Sequence, residues 1–115
     1  MNTTAFSRNK TTQLNPYLVK EIIEASPEKL LLKTYDFAIT HCQLHDMVKT
    51  NRALDELINS LNFEDEKAKE ISIGLLRLYQ YCQDQMRKRN HEIVYTILTD
   101  LKDAWVTIFN MKKFA

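Results

Sequence analysis

Apolar residues recur three and four positions apart over most of the chain, which is the spacing of one face of an α-helix. Short polar stretches interrupt this pattern. The chain has a single glycine and two prolines, so it has few of the residues that hairpin turns need. The pattern therefore predicts four helices, over residues 27–45, 47–61, 66–89 and 91–111.

The residues at the predicted helix ends support these boundaries. Ser26 is a good N-cap, because its hydroxyl can accept a hydrogen bond from an unpaired backbone N–H. Pro27 then stands at the first helical position, where a missing N–H costs nothing. Asp46 is placed to cap the second helix, and Asn90 either ends the third helix or caps the fourth.

The first predicted helix carries two separate apolar stripes. The stripe expected to face the core consists of Leu31, Tyr35, Ala38 and Cys42. The second stripe consists of Leu30, Phe37 and Leu44. A helix with two apolar stripes packs against two neighbours, and in a small bundle the second neighbour is most often another part of the same domain. The alternative is a groove that binds a partner's amphipathic helix.

In the third and fourth helices the core faces follow the same spacing. The residues of the third helix expected to face the core are Ala68, Ile71, Leu75, Leu78, Tyr79, Cys82 and Met86. The residues of the fourth helix expected to face the core are Val94, Ile97, Leu98, Leu101, Ala104, Trp105 and Ile108. Two residues of the third helix, Ile73 and Leu76, lie off its main stripe. They are weaker candidates for contact with a partner.

Amphipathic helices joined by short turns must lie antiparallel to their neighbours in sequence. The sequence thus predicts an all-α fold, an antiparallel up-down four-helix bundle. Residues 1–15 form a polar leader that is expected to be flexible, and residues 16–115 form a single domain. Between the leader and the first helix, a short apolar segment is expected to lie across the bundle as a lid, with Tyr17, Leu18, Ile22 and Ile23 as its contact residues.

Charge and composition exclude several classes of protein. The net charge is +1, so no general field attracts nucleic acid or an anionic membrane. No apolar run approaches the roughly 18 residues of a membrane span, and the polar N-terminus lacks the apolar core of a signal peptide. These features predict a cytoplasmic protein without membrane insertion. Cys42 and Cys82 fall on apolar helix faces and are expected to be reduced core thiols.

Candidate chemistry along the chain is sparse. His41 and His45 have the spacing of two metal ligands on one helix face, but no third ligand stands near them in sequence, and two boundary histidines are the more common case. A single glycine excludes a glycine-rich phosphate loop. The two cysteines have no basic neighbours that would activate a thiolate. The sequence therefore predicts a protein that is not an enzyme and binds no cofactor or metal.

Four motifs, in order along the chain, resemble the flagellin export chaperones, the FliS family. The first is Ala25-Ser26-Pro27-Glu28-Lys29-Leu30 with Tyr35-Asp36 and Ala38-Ile39, preceded by an aromatic residue, Tyr17. The second is Leu-Asp-Glu-Leu-Ile-Asn-Ser-Leu-Asn at 54–62, followed by Phe63. The third comprises Leu75, Leu78, Tyr79 and Tyr81, and the fourth comprises Leu98, Leu101, Lys102, Ala104 and Trp105. The residues that depart from the family pattern are Thr34, Phe37 and Ser72.

The resemblance implies a function that requires no catalysis. Chaperones of this family bind the disordered C-terminal segment of flagellin in the cytoplasm, and the segment folds as helices around the bundle. Binding prevents premature polymerisation and delivers the subunit to the flagellar type III export gate. The resemblance thus implies flagellin and the export gate as partners.

The expected contact surface combines the lid residues with the second stripe of the first helix, Leu30, Phe37 and Leu44, and with Ile73 and Leu76. The competing hypothesis is a structural helical-bundle module with a different client or with itself as partner. In that case the spare stripes pair between two copies. The expected oligomeric state is a monomer or a weak homodimer.

Overall fold

The computed structural model describes residues 27–113, with side chains up to Lys112. This part of the chain consists of four α-helices and contains no strand. They are α1 (Pro27–Gln43), α2 (Met47–Asn59), α3 (Glu66–Arg87) and α4 (His91–Lys113). The predicted all-α class is confirmed, and the predicted helix ends differ from the observed ones by at most two residues. The leader, the lid segment and the Ser26 cap lie outside the described residues.

The helices pack as a ring. Each helix packs against the next one in sequence, and α4 returns to pack against α1. This is the neighbour order of an up-down bundle, in which short connections force consecutive helices to run antiparallel. The pair α3 and α4 packs together least closely.

The α1–α2 and α3–α4 turns share one unusual backbone feature. His45 (φ 59°) and Arg89 (φ 63°) both adopt the left-handed conformation that normally favours glycine. In the first turn the backbone N–H of Asp46 donates to the carbonyl of His41, and in the second that of Asn90 donates to the carbonyl of Gln85. Each turn is thus a Schellman motif that ends its helix with a residue other than glycine.

Side-chain caps start the next two helices. The Asp46 carboxylate accepts from the backbone N–H of Lys49 (3.0 Å), which confirms its prediction as the N-cap of α2. Asp65 caps α3 by accepting from the backbone N–H of Lys67 (3.1 Å). Asn90 ends α3, and its side chain donates to Gln85. A capped start satisfies a backbone donor that the helix itself leaves unpaired.

The core contains residues from all four helices. The buried apolar residues are Tyr35, Ala38, Cys42, Ala53, Leu54, Leu57, Tyr79, Cys82, Met86, Val94 and Leu98. The first stripe predicted for α1 is largely confirmed, because Tyr35, Ala38 and Cys42 are fully buried and Leu31 packs against the core.

The core face predicted for α4 is partly wrong. Val94 and Leu98 are buried, and Ile97, Leu101 and Trp105 pack against the core, but Ala104 and Ile108 are exposed. The apolar arc of α4 is wider than the core can cover. The helix turns Leu98 and Trp105 inward, which leaves Ala104 and Ile108 at the edge.

A hydrogen-bonded aromatic triad joins three helices inside the core. The hydroxyls of Tyr35 and Tyr79 share a hydrogen bond of 2.5 Å, and Trp105 Nε1–H donates to the Tyr35 hydroxyl at 3.0 Å. Tyr35 and Tyr79 are almost completely buried. A buried hydroxyl or N–H without a partner would be destabilising, so these contacts define how α1, α3 and α4 approach each other.

A second buried polar contact joins α2 and α3. The Gln83 side chain donates to the carbonyl of Asn51 (3.1 Å) and to the carboxylate of Asp55 (2.7 Å). The Asn51 side chain donates in return to the carbonyl of Gln83 (3.2 Å). Ser72 is also buried, and its hydroxyl donates to the carbonyl of Asn62 (2.8 Å). The polar Ser72 therefore has a structural role, in holding the α2–α3 connection against α3.

Replacing Arg89 by glycine should stabilise the protein. A non-glycine residue in the left-handed conformation is disfavoured by about 1 kcal/mol or more, and glycine removes that cost. We expect Arg89→Gly to raise the free energy of unfolding by about 1 kcal/mol in denaturant titration. Lys88 has an ordinary φ of −87° and serves as the control. If Lys88→Gly stabilises as much as Arg89→Gly, the backbone explanation fails.

The triad predicts an order of effects for two conservative variants. Tyr35→Phe leaves both Trp105 Nε1–H and the Tyr79 hydroxyl without their partner, so we expect a loss of about 2–4 kcal/mol. Tyr79→Phe preserves the bond from Trp105 to Tyr35 and should lose only about 1 kcal/mol. Equilibrium unfolding followed by far-UV circular dichroism measures both. Equal losses would contradict the central position of Tyr35.

Candidate partner-binding groove

A groove between α1 and α2 exposes two large apolar side chains. Leu30 is 48% exposed and Phe37 is 47% exposed. The groove has a volume of about 320 Å³, and its other lining residues are Lys33, Thr34, Arg52, Ala53 and Glu56. Since Ala53 is small, α2 does not cover Phe37, and the ring remains available on one side.

Neighbouring residues hold the Phe37 ring at the groove. It packs against the His41 ring, one helical turn along α1, with the ring centroids 4.2 Å apart. The Thr34 hydroxyl donates to the backbone carbonyl of Leu30 (2.9 Å), so it does not need a partner inside the groove. The wall of the groove formed by α1 therefore presents the carbon surfaces of Leu30 and Phe37, together with the charged side chain of Lys33.

The groove continues into a larger cavity at one end of the bundle. This cavity measures about 630 Å³ and is bordered by residues of all four helices. It lies between the start of α1, the end of α2, the start of α3 and the C-terminal half of α4. Leu30, Thr34 and Glu56 line both spaces, which makes the two spaces one continuous surface.

The end cavity reaches down to the aromatic triad. Tyr79 and Trp105 form part of its lining, together with Ile71 and Leu75 of α3. The hydrogen bonds of the triad satisfy the polar atoms of these aromatic side chains. A partner would therefore meet aromatic and aliphatic carbon in the cavity, and the binding energy would come mainly from burial of apolar surface.

The structure brings together two of the residues predicted as contacts. Leu30 and Phe37 lie in the groove. Leu44 is 67% exposed but lines neither space. Ile73 and Leu76 are half-buried on α3 and also line neither space, so their contact with a partner stays a prediction. The predicted lid residues Tyr17, Leu18, Ile22 and Ile23 lie outside the described residues.

Several lining residues could not be selected from the stripes alone. Ala53 was not part of the predicted apolar face of α2, and Trp105 was assigned to the core stripe of α4. Ile71 was assigned to the core stripe of α3, and that prediction is wrong, because Ile71 is 65% exposed at the edge of the cavity. The small size of Ala53 is the one local signal that could have indicated a gap. Its importance appears only when α1 places Phe37 beside it.

The histidines of α1, which have the spacing of metal ligands, pack against other rings. His45 stacks on His91 with ring centroids 4.0 Å apart, while His41 packs on Phe37, so the two histidines of α1 lie in different ring contacts. Among residues 27–113, no group of three or more His, Cys, Asp or Glu side chains is arranged to hold a metal ion. None of the four described helices combines the length and the hydropathy of a membrane span.

Burial also lowers the reactivity of the two cysteine thiols. Both thiols are free and completely buried. Burial raises the pKa of Cys82 to about 12 and raises the pKa of Cys42 above its usual value, because a thiolate is poorly solvated in the core. A thiol with a raised pKa is a weak nucleophile at neutral pH.

Comparison with models of known protein families, with curated proteins and with solved structures finds no match to this chain. The function is therefore argued from the groove and from the motifs in the sequence.

The raised pKa values predict that stability decreases in alkaline solution. The ordinary pKa is 9.0 for cysteine and 10.0 for tyrosine, and burial raises the pKa of Cys82, Tyr35 and Tyr79 above these values. Above about pH 9 the unfolded chain releases protons that the folded chain retains, so unfolding becomes more favourable. Each group lowers the free energy of unfolding by at most about 1.4 kcal/mol for each pH unit. Below about pH 9 these groups should cause no such loss.

Urea titrations at about pH 8 and about pH 10 test this prediction. The matched variant is Cys82→Ala, which removes one of the buried titrating groups. Its loss of stability between the two pH values should be smaller than that of the unaltered protein. An unchanged loss would assign the alkaline effect to other groups.

Proposed function

We propose that this protein is a chaperone that binds an amphipathic segment of an unfolded partner in the continuous apolar surface formed by the groove and the end cavity. The observation that carries the proposal is the exposure of Leu30 and Phe37 beside a space that opens into the bundle interior. A helix can insert residues spaced three and four apart into such a groove.

The client that the motifs favour is the C-terminal segment of flagellin. The resemblance to the flagellin export chaperones supports this choice, and so does the all-α bundle. In this proposal the protein acts in the cytoplasm, keeps flagellin from polymerising early and delivers it to the type III export gate. Several motif residues, including Tyr35, Tyr79 and Trp105, build the core triad. They supply the scaffold, while Leu30 and Phe37 supply the contacts.

The energetics of this surface suit a client that folds on binding. Burying a leucine or phenylalanine side chain contributes about 1.5–3 kcal/mol. Ordering a disordered segment costs about 2–5 kcal/mol or more, so several anchors must act together. Leu30, Phe37 and the lining of the end cavity can provide them.

The direct test is calorimetric titration of the full chain with the C-terminal segment of flagellin from the same organism. We expect one-to-one binding with a large negative heat-capacity change and a gain of helix. Absence of binding to the folded protein would contradict flagellin as the client.

Phe37→Asp locates the binding surface. We expect it to weaken binding by about 2 kcal/mol or more, because it removes the exposed aromatic ring and puts a hydrated carboxylate where the partner would bury apolar surface. The matched control is Ile108→Asp, since Ile108 is 46% exposed on α4, outside the groove and cavity linings. The control should bind normally. Equal weakening by both variants, or unfolding of Phe37→Asp, would move the site away from the groove.

A further inference from the structure

A second apolar surface lies on the opposite side of the bundle, at the edge shared by α3 and α4. Ile71 of α3 is 65% exposed, and Ile108 and Met111 of α4 are 46% and 66% exposed. Half-buried Leu78 and Ile97 extend this surface towards the α3–α4 turn. We call it the α3–α4 face, and it consists of Ile71, Gly74, Leu78, Ile97, Ala104, Ile108 and Met111. Exposed isoleucine and methionine side chains grouped on one edge of a bundle are candidates for an interaction site.

The spacing on α4 is that of a helix-packing seam. Ile97, Leu101, Ala104, Ile108 and Met111 follow one another at alternating intervals of four and three residues. This is the repeat with which one helix packs along another. Ile97 and Leu101 at the start of this seam also pack against the core beside the buried Val94 and Leu98, whereas Ala104, Ile108 and Met111 are exposed. The bundle itself therefore uses only one side of the apolar arc of α4.

Small residues occur at the middle of the face. Gly74 and Ala104 are the same number of residues from the α3–α4 turn, so in antiparallel helices they stand at the same level. A Cβ added to Gly74 would meet no atom within 4 Å, so packing within the described bundle does not require glycine there. A glycine inside a helix is disfavoured by about 1 kcal/mol relative to alanine. Close approach of another helix would explain its presence.

Charged residues on and beside the face complement each other between two copies. Arg77 of α3 is exposed, and so are Asp100 and Asp103 of α4. Asp100 stands three residues after Ile97 and four before Ala104, so it lies within the α4 part of the face. Counted from the α3–α4 turn, Arg77 stands at a level between Asp100 and Asp103. None of the three makes an ion pair within the described part of the chain.

We propose that two copies of this chain associate through the α3–α4 face. A two-fold axis parallel to the helices would place α3 of one copy antiparallel to α4 of the other. Gly74 then meets Ala104 of the second copy, Ile71 and Ile108 pack around this centre, and Arg77 lies between Asp100 and Asp103 of the second copy. The symmetry repeats each contact. This self-association leaves the groove between α1 and α2 open, and it shares only Ile71 with the lining of the end cavity.

The first test is sedimentation equilibrium of the full chain over a range of concentrations. We expect a monomer–dimer equilibrium. Gly74→Arg should raise the dimer dissociation constant about tenfold or more, because the bulky side chain separates the two copies. The open space around Gly74 lets this variant fold, and its thermal stability should not fall. A monomer at every concentration, or a dimer unaffected by Gly74→Arg, would overturn the proposal.

Charge reversal tests the arrangement of the two copies. Arg77→Asp alone should weaken association, because it brings like charges together. Adding Asp100→Arg and Asp103→Arg to the same chain restores opposite charges and should restore association. If the triple variant associates no better than Arg77→Asp, the proposed orientation is wrong.

Aspartate variants of two exposed apolar residues, Ile108 and Phe37, separate this inference from the proposed function. Ile108→Asp should abolish the dimer and leave flagellin binding intact, whereas Phe37→Asp should do the reverse. A dimer that survives Ile108→Asp would overturn the inference without affecting the chaperone proposal. If the unaltered protein dimerises but does not bind the flagellin segment, the chaperone proposal fails and the inference stands.

Discussion

The shared hydrogen bonds of Tyr35, Tyr79 and Trp105 are the constraint on which the rest of the structure depends. Aliphatic side chains can repack with small shifts, but a buried hydroxyl must find its partner at a defined distance. The triad thereby determines the rotation of α1, α3 and α4 about their own axes. That rotation decides which apolar stripes enter the core and which stay at the surface. The position of the groove and of the α3–α4 face both follow from it.

Two helices carry more apolar surface than the core can cover, and the surplus lies on two sides of the bundle. On α1 the surplus comprises Leu30 and Phe37, which border the groove beside Ala53. On α4 it comprises Ala104, Ile108 and Met111, at the loosely packed edge with α3. The first surface is concave and continues into the bundle interior, which suits a single inserted helix. The second follows an α3–α4 edge with small residues at its centre, which suits a matching pair of helices.

The two turns at the other end of the bundle have a different character. Both Schellman turns are made without glycine, by His45 and Arg89. His45 stacks on His91, so the first turn and the start of α4 are in direct contact. This end is held by ring stacking and by backbone hydrogen bonds, and its surface cavities of about 450, 360 and 490 Å³ are lined mainly by polar residues such as His45, Arg89 and His91. The opposite end contains the larger cavity of about 630 Å³. The asymmetry makes one end of the bundle a structural base and the other a candidate binding end.

The sequence by itself determined the helices, their approximate ends and the all-α class. These features depend on local spacing and on capping residues such as Asp46, which act through neighbours in the chain. It also identified Leu30 and Phe37 as a stripe separate from the core stripe of α1. Only the tertiary structure decided that this stripe stays exposed, because that depends on the small Ala53 of another helix. It likewise decided that Ala104 and Ile108 leave the core, since periodicity shows how wide an apolar arc is but not how much of it neighbouring helices cover.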